Sequence, residues 1–110
     1  MSDRRANDSI MPATPESRRS RSVMLDEYLE TKVVVDLVSP YVCLGWLTRC
    51  DEHFIEMKNA DLHDLRDTET TRELYIADSV ATGIKRNRKR VLIRRSEVVA
   101  VSALDDVVDE

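Results

Sequence analysis

The side chains best suited to chemistry in this sequence are the cations that crowd residues 85–95. This stretch holds seven basic residues and no acidic one: Lys85, Arg86, Arg88, Lys89, Arg90, Arg94 and Arg95. Exposed Lys and Arg side chains bind phosphate groups, and such binding weakens as the salt concentration rises. The whole chain carries a formal net charge of -4, so a polyanion would have to bind to this local surface. We therefore predict one basic face.

The sequence offers no arrangement of residues that would support catalysis or hold a cofactor. Only two glycines are present, so a glycine-rich phosphate-binding loop cannot form, and no nucleophile stands beside a general base. The soft metal ligands are Cys43, Cys50, His53 and His63, whose spacing matches neither CxxC nor HxxxH. The sequence predicts a protein that is not an enzyme and takes no metal, cofactor or small-molecule substrate.

Length and composition predict one folded domain between two tails. A chain of 110 residues can build one small domain but not two. Residues 1–21 contain many Arg and Ser and few apolar side chains, so they cannot bury enough surface to offset the entropy lost on ordering. We predict a disordered tail over 1–21, a domain over 22–104 and an acidic tail over 105–110. The chain has no apolar run of about 20 residues and no secretory signal, which favours a cytoplasmic protein without membrane contact.

The first half of the predicted domain contains one short helix and three strands. Ser22 can cap a helix over residues 23–30, where apolar side chains recur at helical spacing. Apolar runs rich in β-branched residues, and one alternating run, predict strands over 32–38, 41–50 and 53–62. Gly45 lies inside the second strand, where a missing side chain permits a sharp bend or a close backbone approach.

The second half of the predicted domain contains a helical insertion and two more strands. Apolar residues at spacings of three and four predict a helix over 68–84, although residues 71–76 could instead extend a strand. The last two strands are predicted at 89–94 and 98–103, with a short connection between them. The predicted fold class is mainly β with helices, and its five strands are antiparallel.

Two motifs in these strands are similar to those of Sm-like (LSm) proteins. The first is an apolar strand with a glycine, then an aspartate before the next apolar strand; Gly45 and Asp51 in the run DEHFIEM fit it. The second is an apolar strand ending in Ile-Arg-Gly, matched by VLIRRSEVV at residues 91–99 with Arg95 in place of the glycine. Over residues 23–104 the chain resembles a divergent bacterial-type Sm-like protein. The resemblance implies a strongly bent five-stranded sheet that forms an SH3-like small barrel.

The resemblance also implies a role for the loops after the second and fourth strands. In the family these loops line the inner rim of a homo-oligomeric ring and bind single-stranded RNA. Asp51 and Arg94 match family positions, and His53 takes the position of the residue that stacks on a base. With the neighbouring cations added as phosphate contacts, the predicted RNA-binding residues are Asp51, His53, Lys85, Arg86, Arg88, Lys89, Arg90, Arg94, Arg95 and Ser96.

One family residue, the asparagine that hydrogen-bonds the base edge, has no counterpart here. Ile55 occupies its position, or Glu56 if the alignment shifts by one residue. Ile has no hydrogen-bonding group and Glu repels phosphate, so neither replaces the asparagine. We therefore expect weak base specificity. The resemblance also implies a ribonucleoprotein component whose subunits assemble by pairing of the fourth strand of one with the fifth strand of the next.

A second hypothesis is that this small barrel serves as a protein-protein adaptor or structural module without RNA binding. The inserted segment over residues 67–85 would then contact the partner, and the missing asparagine favours this hypothesis. His53 and Arg94 favour RNA binding, although a histidine at this place could also be an ordinary surface residue. We expect Trp46 and Phe54 to be buried in the core or in an interface rather than to stack on bases.

Overall fold

The computed structural model describes residues 24–108, and five β-strands form most of this part of the chain. They are β1 (Thr31–Leu37), β2 (Tyr41–Cys50), β3 (Phe54–Asp64), β4 (Arg88–Arg94) and β5 (Val98–Ala103). The five predicted strands are confirmed, and each boundary lies within two residues of its predicted place. The tail predicted over residues 1–21 lies outside the described residues.

The N-terminal helix ends earlier than its sequence pattern predicts. Residues 24–26 are helical and residues 27–30 form a turn, while Val23 lies outside the described residues. The turn closes because Glu30 adopts a left-handed φ of 62° and its amide donates to the Leu47 carbonyl at 2.6 Å. The Thr31 hydroxyl also donates to the Tyr28 carbonyl at 2.7 Å, which fixes the entry into β1.

The five strands form one antiparallel sheet in the order β4-β3-β2-β1-β5. Strand β1 pairs with β2 and also with β5, which comes last in the sequence. Within residues 24–108, β4 and β5 each pair with only one neighbour, so the sheet has two edges. Each edge exposes backbone groups that can pair with another strand.

The sheet bends at Gly45, as the sequence predicts. The pairing between β2 and β3 shifts register between Leu44 and Trp46. A Cβ atom at Gly45 would lie 2.9 Å from both Cα and Cβ of Ala60 on β3. Glycine is therefore required here because the two backbones approach too closely for any side chain.

The inner face of the bent sheet encloses an apolar core. Its buried side chains come from all strands except β5 and are Val33, Val35, Leu37, Cys43, Leu47, Ile55, Met57, Ala60 and Ile93. Strand β5 contributes the partly buried Val98 and Val101 at the margin of this core. The core therefore joins β4 to the rest of the sheet mainly through Ile93, which leaves most of this strand exposed.

The predicted helical insertion is confirmed as α1 (Arg72–Thr82), which begins four residues later and ends two residues earlier than the predicted 68–84. The alternative of an extended strand over 71–76 is not observed. The Thr71 side chain caps the helix by accepting from the Leu74 amide at 3.2 Å, and Gly83 ends it with a φ of 97°. Helix α1 packs on the outer face of β1 and β2. The apolar cluster between them contains Val34, Val42, Leu44, Ile76 and Leu104.

The chain after β5 is packed rather than free. Residues Leu104–Asp106 form a 3-10 helix, Leu104 is buried, and Val107 packs against the outer apolar cluster. Ordered structure thus continues past residue 104, where the acidic tail is predicted to begin, because apolar residues interrupt the acidic ones. Asp109 and Glu110 lie outside the described residues.

Candidate nucleic-acid interface

The loop between β2 and β3 is shaped by Asp51. One carboxylate oxygen, Oδ1, accepts from the backbone amides of His53 at 2.9 Å and Phe54 at 2.8 Å. These hydrogen bonds lower the pKa of the Asp51 carboxyl below its ordinary value, so the side chain stays ionised and holds the turn. The His53 side chain is 78% exposed, and its Nε2 lies 3.7 Å from Glu52 Oε1. Asp51 therefore positions the loop, and His53 is the group that it presents to solvent.

The turn between β4 and β5 is bound directly to this loop by Arg95. The Arg95 amide donates to the His53 carbonyl at 2.8 Å, and its Nη1 donates to the Asp51 carbonyl at 2.6 Å. Phe54 lies opposite Arg94 in the β3-β4 pairing, which brings Arg94 next to the same loop. Arg95 therefore acts as a connection between the loops, while Arg94 is exposed and makes no ion pair within residues 24–108.

These two loops form one open depression, which we call the loop pocket. It is lined by Glu52, His53, Phe54, Arg94, Arg95 and Ser96. Of the predicted site residues, the structure brings together Asp51, His53, Arg94, Arg95 and Ser96. A planar exposed imidazole beside an exposed guanidinium can stack on a base and neutralise a phosphate.

The other five predicted site residues lie at the opposite end of β4. Six residues of strand separate Arg88 from Arg94, which corresponds to about 20 Å. Three of these cations contact other side chains: Lys85 is 3.2 Å from Asp78, Arg90 is 2.5 Å from Glu56, and Arg86 donates to the Asn59 side chain at 2.5 Å. Arg88 donates to the Asn87 carbonyl at 3.1 Å, and Lys89 is exposed. The basic run therefore forms a second region, separate from the loop pocket.

Neither candidate for the family's base-reading position has a side chain that is free to contact a ligand. The Ile55 side chain is 1% exposed and belongs to the inner core. Glu56 is 4% exposed and accepts hydrogen bonds from Thr48, Arg49 and Arg90. These bonds, with that from Thr48 the strongest influence, lower the pKa of Glu56 to about 2. Because both side chains are committed elsewhere, the loop pocket has no counterpart of the asparagine at either position.

Trp46 is more exposed than its aromatic character predicts. Trp46 is 36% exposed on the outer face of β2 and Phe54 is 39% exposed, so neither lies in the core, and their burial in an interface stays a prediction. The Lys32 Nζ lies 5.8 Å from the centre of the Trp46 ring, within cation-π range. The alternation of side chains along β2 could have predicted this exposure. Trp46 shares its side of the strand with polar Thr48, while buried Leu47 lies between them on the other side.

In the part of the chain that the structure describes, no group of three or more His, Cys, Asp or Glu side chains is arranged to hold a metal ion. None of the helices within residues 24–108 combines the length and apolar character needed to cross a bilayer.

Comparisons with known proteins give a structural likeness but no sequence relative. No protein-family model matches the chain, and no curated protein matches it. Among solved structures, an Sm protein from Pyrococcus abyssii in complex with a uridine heptamer is similar, with a TM-score of 0.51 and 18% identity. That match covers 74% of this chain and 93% of the other. An Sm-like protein from Archaeoglobus fulgidus has a TM-score of 0.49 and 13% identity, over 86% of this chain and 99% of the other.

At 18% identity, the similarity to the Pyrococcus abyssii Sm protein concerns the fold and not the ligand. In the described part of this chain, that similarity rests on one five-stranded antiparallel sheet. The chain has the Sm-like fold.

Proposed function

We propose that this protein binds single-stranded RNA through the loop pocket and has no catalytic activity. The observation that carries the proposal is the joining of two loops by Arg95, which sets His53 and Arg94 beside each other in one exposed depression. Arg94 supplies a phosphate contact, and the His53 ring supplies a surface on which a base can stack. The solved Sm protein with a bound uridine heptamer shows that a protein of this fold can hold such a ligand.

Base selectivity is expected to be weak. Stacking tolerates every base, because each has a π-face, and phosphate contacts carry no sequence information. Discrimination would need a hydrogen-bonding group that reaches the base edge. Ile55 is in the core and Glu56 is bound by three side chains, so both are unavailable for this purpose.

The active form is a closed homo-oligomer in this proposal, with the loop pockets arranged around its inner rim. Strands β4 and β5 lie at opposite edges of the sheet, so β4 of one copy can pair with β5 of the next. Leu92 on β4 is 47% exposed and Val99 on β5 is 66% exposed, and pairing would bury both. We extend the proposal to a cytoplasmic ribonucleoprotein component.

The RNA test uses a fluorescently labelled oligouridine and a labelled oligoadenosine of equal length, with binding followed by anisotropy at low and moderate salt. We expect similar affinities for both, a marked loss with the double substitution His53→Ala and Arg94→Ala, and near wild-type binding with Arg86→Ala. Tight and uridine-selective binding would contradict the account of Ile55 and Glu56. Unchanged binding by the double variant would contradict the loop pocket as the site.

The assembly test measures oligomer mass by light scattering at micromolar concentration. We expect one discrete species larger than a dimer. Val99→Lys places a charge on the exposed edge of β5 and should shift the protein to monomer without unfolding it, since the side chain is already exposed. A monodisperse wild-type monomer would remove the ring from the proposal.

A second candidate function, a protein-protein adaptor, is favoured by the exposed apolar side chains of α1. Leu74 is 60% exposed and Val80 is 44% exposed on this helix. A folded protein that binds no RNA even at low salt would support the adaptor. Binding that is lost with the loop-pocket variants would support RNA recognition.

A further inference from the structure

The outer face of the sheet is covered in one half and open in the other. Helix α1 and Leu104 cover Val34, Val42 and Leu44, which point outward from β1 and β2. Further along β2, beyond the bend at Gly45, Trp46 is exposed in an open groove. The groove lies between the turn at Glu30 and strand β4. An exposed tryptophan in such a groove is unusual enough to suggest a ligand, because most large aromatic side chains are largely buried.

Trp46 belongs to a row of four residues that are paired across four neighbouring strands. Lys32 on β1 lies opposite Trp46, Trp46 lies opposite Lys58 on β3, and Lys58 lies opposite Arg90 on β4. Directly opposed residues of antiparallel strands point to the same face. We call these four residues the tryptophan row. The row presents one aromatic ring flanked by three cations on a single surface.

The charge of this surface favours an anionic ligand. Buried Glu56 accepts from Arg49 Nη2 at 3.1 Å and from Arg90 Nε at 2.5 Å, so one carboxylate holds two guanidinium groups in place. Lys32 and Lys58 make no ion pair within residues 24–108 and are exposed. The groove thus sets four cations against the carboxylates of Glu56 and Glu30.

A continuous path connects the tryptophan row with the loop pocket. A shallow depression between them is lined by Phe54, which also lines the loop pocket, and by Arg49, Glu56 and Arg90, which also line the groove. Along β3, the four residues from Phe54 to Lys58 correspond to about 13 Å. An extended chain that leaves His53 can therefore reach Trp46 without leaving the surface.

We propose that Trp46 is a second base-stacking site for single-stranded RNA, and that Lys58 and Arg90 contact the phosphates beside it. This inference rests on the proposed function, because the same RNA is first bound at the loop pocket. Its chemistry is that of single-strand binders, in which an aromatic ring lies among cations that follow the backbone. The site extends the bound length of RNA along the outer face of each subunit.

The decisive measurement is the intrinsic fluorescence of Trp46, which is the only tryptophan of the chain. Full-length wild-type protein is titrated with an unlabelled uridine dodecamer and, separately, with a uridine trimer. We expect saturable quenching with the dodecamer, because a base stacks on the indole, and little change with the trimer at equal loop-pocket occupancy. Unchanged Trp46 emission while labelled dodecamer binds would overturn this inference and leave the proposed function standing.

Variants separate the two sites. Lys58→Ala should weaken dodecamer binding and reduce the slope of log affinity against log salt by about 0.7, as expected for one lost phosphate contact. The matched control Lys89→Ala removes an equal charge from β4 outside the groove and should leave Trp46 quenching unchanged. If both substitutions act equally, the effect is general electrostatics and the inference fails.

A loop-pocket variant distinguishes failure of this inference from failure of the proposed function. With His53→Ala and Arg94→Ala together, the dodecamer should bind more weakly but quench Trp46 to the same final extent at saturation. Trp46→Leu should lower dodecamer affinity by about fivefold or more and leave trimer affinity unchanged. Equal dodecamer affinity in wild type and Trp46→Leu, with matching melting temperatures, would overturn the second stacking site.

Discussion

Strand β4 joins two basic regions whose cations are in different states. At its C-terminal end, Arg94 is exposed beside His53, and Arg95 binds the backbone of the neighbouring loop. At its N-terminal end, Arg90 is held by Glu56 and Lys85 by Asp78. In the sequence, both regions are basic and neither contains an acidic residue. The difference lies in their neighbours, since acidic or amide side chains from β3 and α1 reach only the N-terminal end.

A run of cations in the sequence is therefore not one binding surface in the folded protein. A strand of seven residues spreads its two ends over about 20 Å and turns alternate side chains to opposite faces. Arg90 and Arg94 point to the same face but lie about 13 Å apart along the strand. Arg90 therefore lies beside Trp46 and Lys58, whereas Arg94 lines the loop pocket.

Gly45→Val should affect both ends of β4 at once. Its Cβ would lie 2.9 Å from Ala60 Cα, so β2 and β3 must separate and the bend that shapes the sheet is lost. We expect destabilisation of about 1–3 kcal/mol or more, comparable to that of an overpacked core, measured by urea denaturation. Val38→Ala, at a 69% exposed position, serves as the control and should change stability little. A Gly45→Val protein as stable as wild type would show that the bend does not depend on this contact.

Glu56→Gln should remove the pairing that distinguishes Arg90 from Arg94. The pKa of Glu56 is about 2 in the folded protein and about 4.5 in an unfolded chain. Its ionised form therefore contributes stability that is fully present above about pH 4.5 and is lost as the pH falls towards about 2. We expect Glu56→Gln to lower the melting temperature near neutral pH and to flatten its decline in acid.

Asp64 supplies the control for this pH dependence. Its hydrogen bonds from Arg66 also lower its pKa to about 2, so Asp64→Asn should remove a similar share of the acid dependence. Asp64 lies away from the tryptophan groove, so only Glu56→Gln should also change RNA binding, by releasing Arg49 and Arg90 for phosphate. Tighter low-salt binding with Glu56→Gln and not with Asp64→Asn would confirm the division.

The fold was predictable because its periodic signals are local. The β-branched run of β1, the alternation of β3 and the spacing of Ile76 and its neighbours in α1 each specify an element within a few residues. Gly45 indicated a bend or a close backbone approach, since a missing side chain inside an apolar strand permits either. The end of the first helix was not predictable, because it depends on a hydrogen bond between Glu30 and Leu47, which are distant in the sequence.

The candidate site was predictable only in part, for the same physical reason. Asp51 is followed closely by the amides that it binds, so its turn can be read locally, but Arg95 acts on a loop more than forty residues away. The burial of Glu56 by Arg49 and Arg90 likewise needs three strands in register. Whether a cation is free or paired is a property of the sheet, and composition does not contain it.

His53→Ala should weaken RNA binding through loss of stacking and leave its salt dependence unchanged. A lost base-aromatic stack costs about 1–3 kcal/mol, whereas the number of neutralised phosphates stays the same. Anisotropy with labelled RNA at several salt concentrations gives both quantities. His53→Phe is the matched variant, because it keeps a stacking surface without a titratable group, and it should retain most of the affinity. A reduced salt slope in His53→Ala would instead mean that the imidazole is charged and contacts phosphate.

Arg94→Ala and Arg86→Ala give the smallest expected effects and the most direct comparison of the two ends of β4. Each variant removes one exposed arginine, so a general effect of charge would change the salt dependence of RNA binding equally in both. If the loop pocket holds the phosphate, Arg94→Ala should reduce the slope of log affinity against log salt by about 0.7, while Arg86→Ala should leave it near the wild-type value. Arg86 donates to Asn59 and lies at the far end of β4, so a short oligouridine at the loop pocket cannot reach it. A uridine trimer is therefore the right probe, and equal slopes for the two variants would show that the basic run acts as one surface after all.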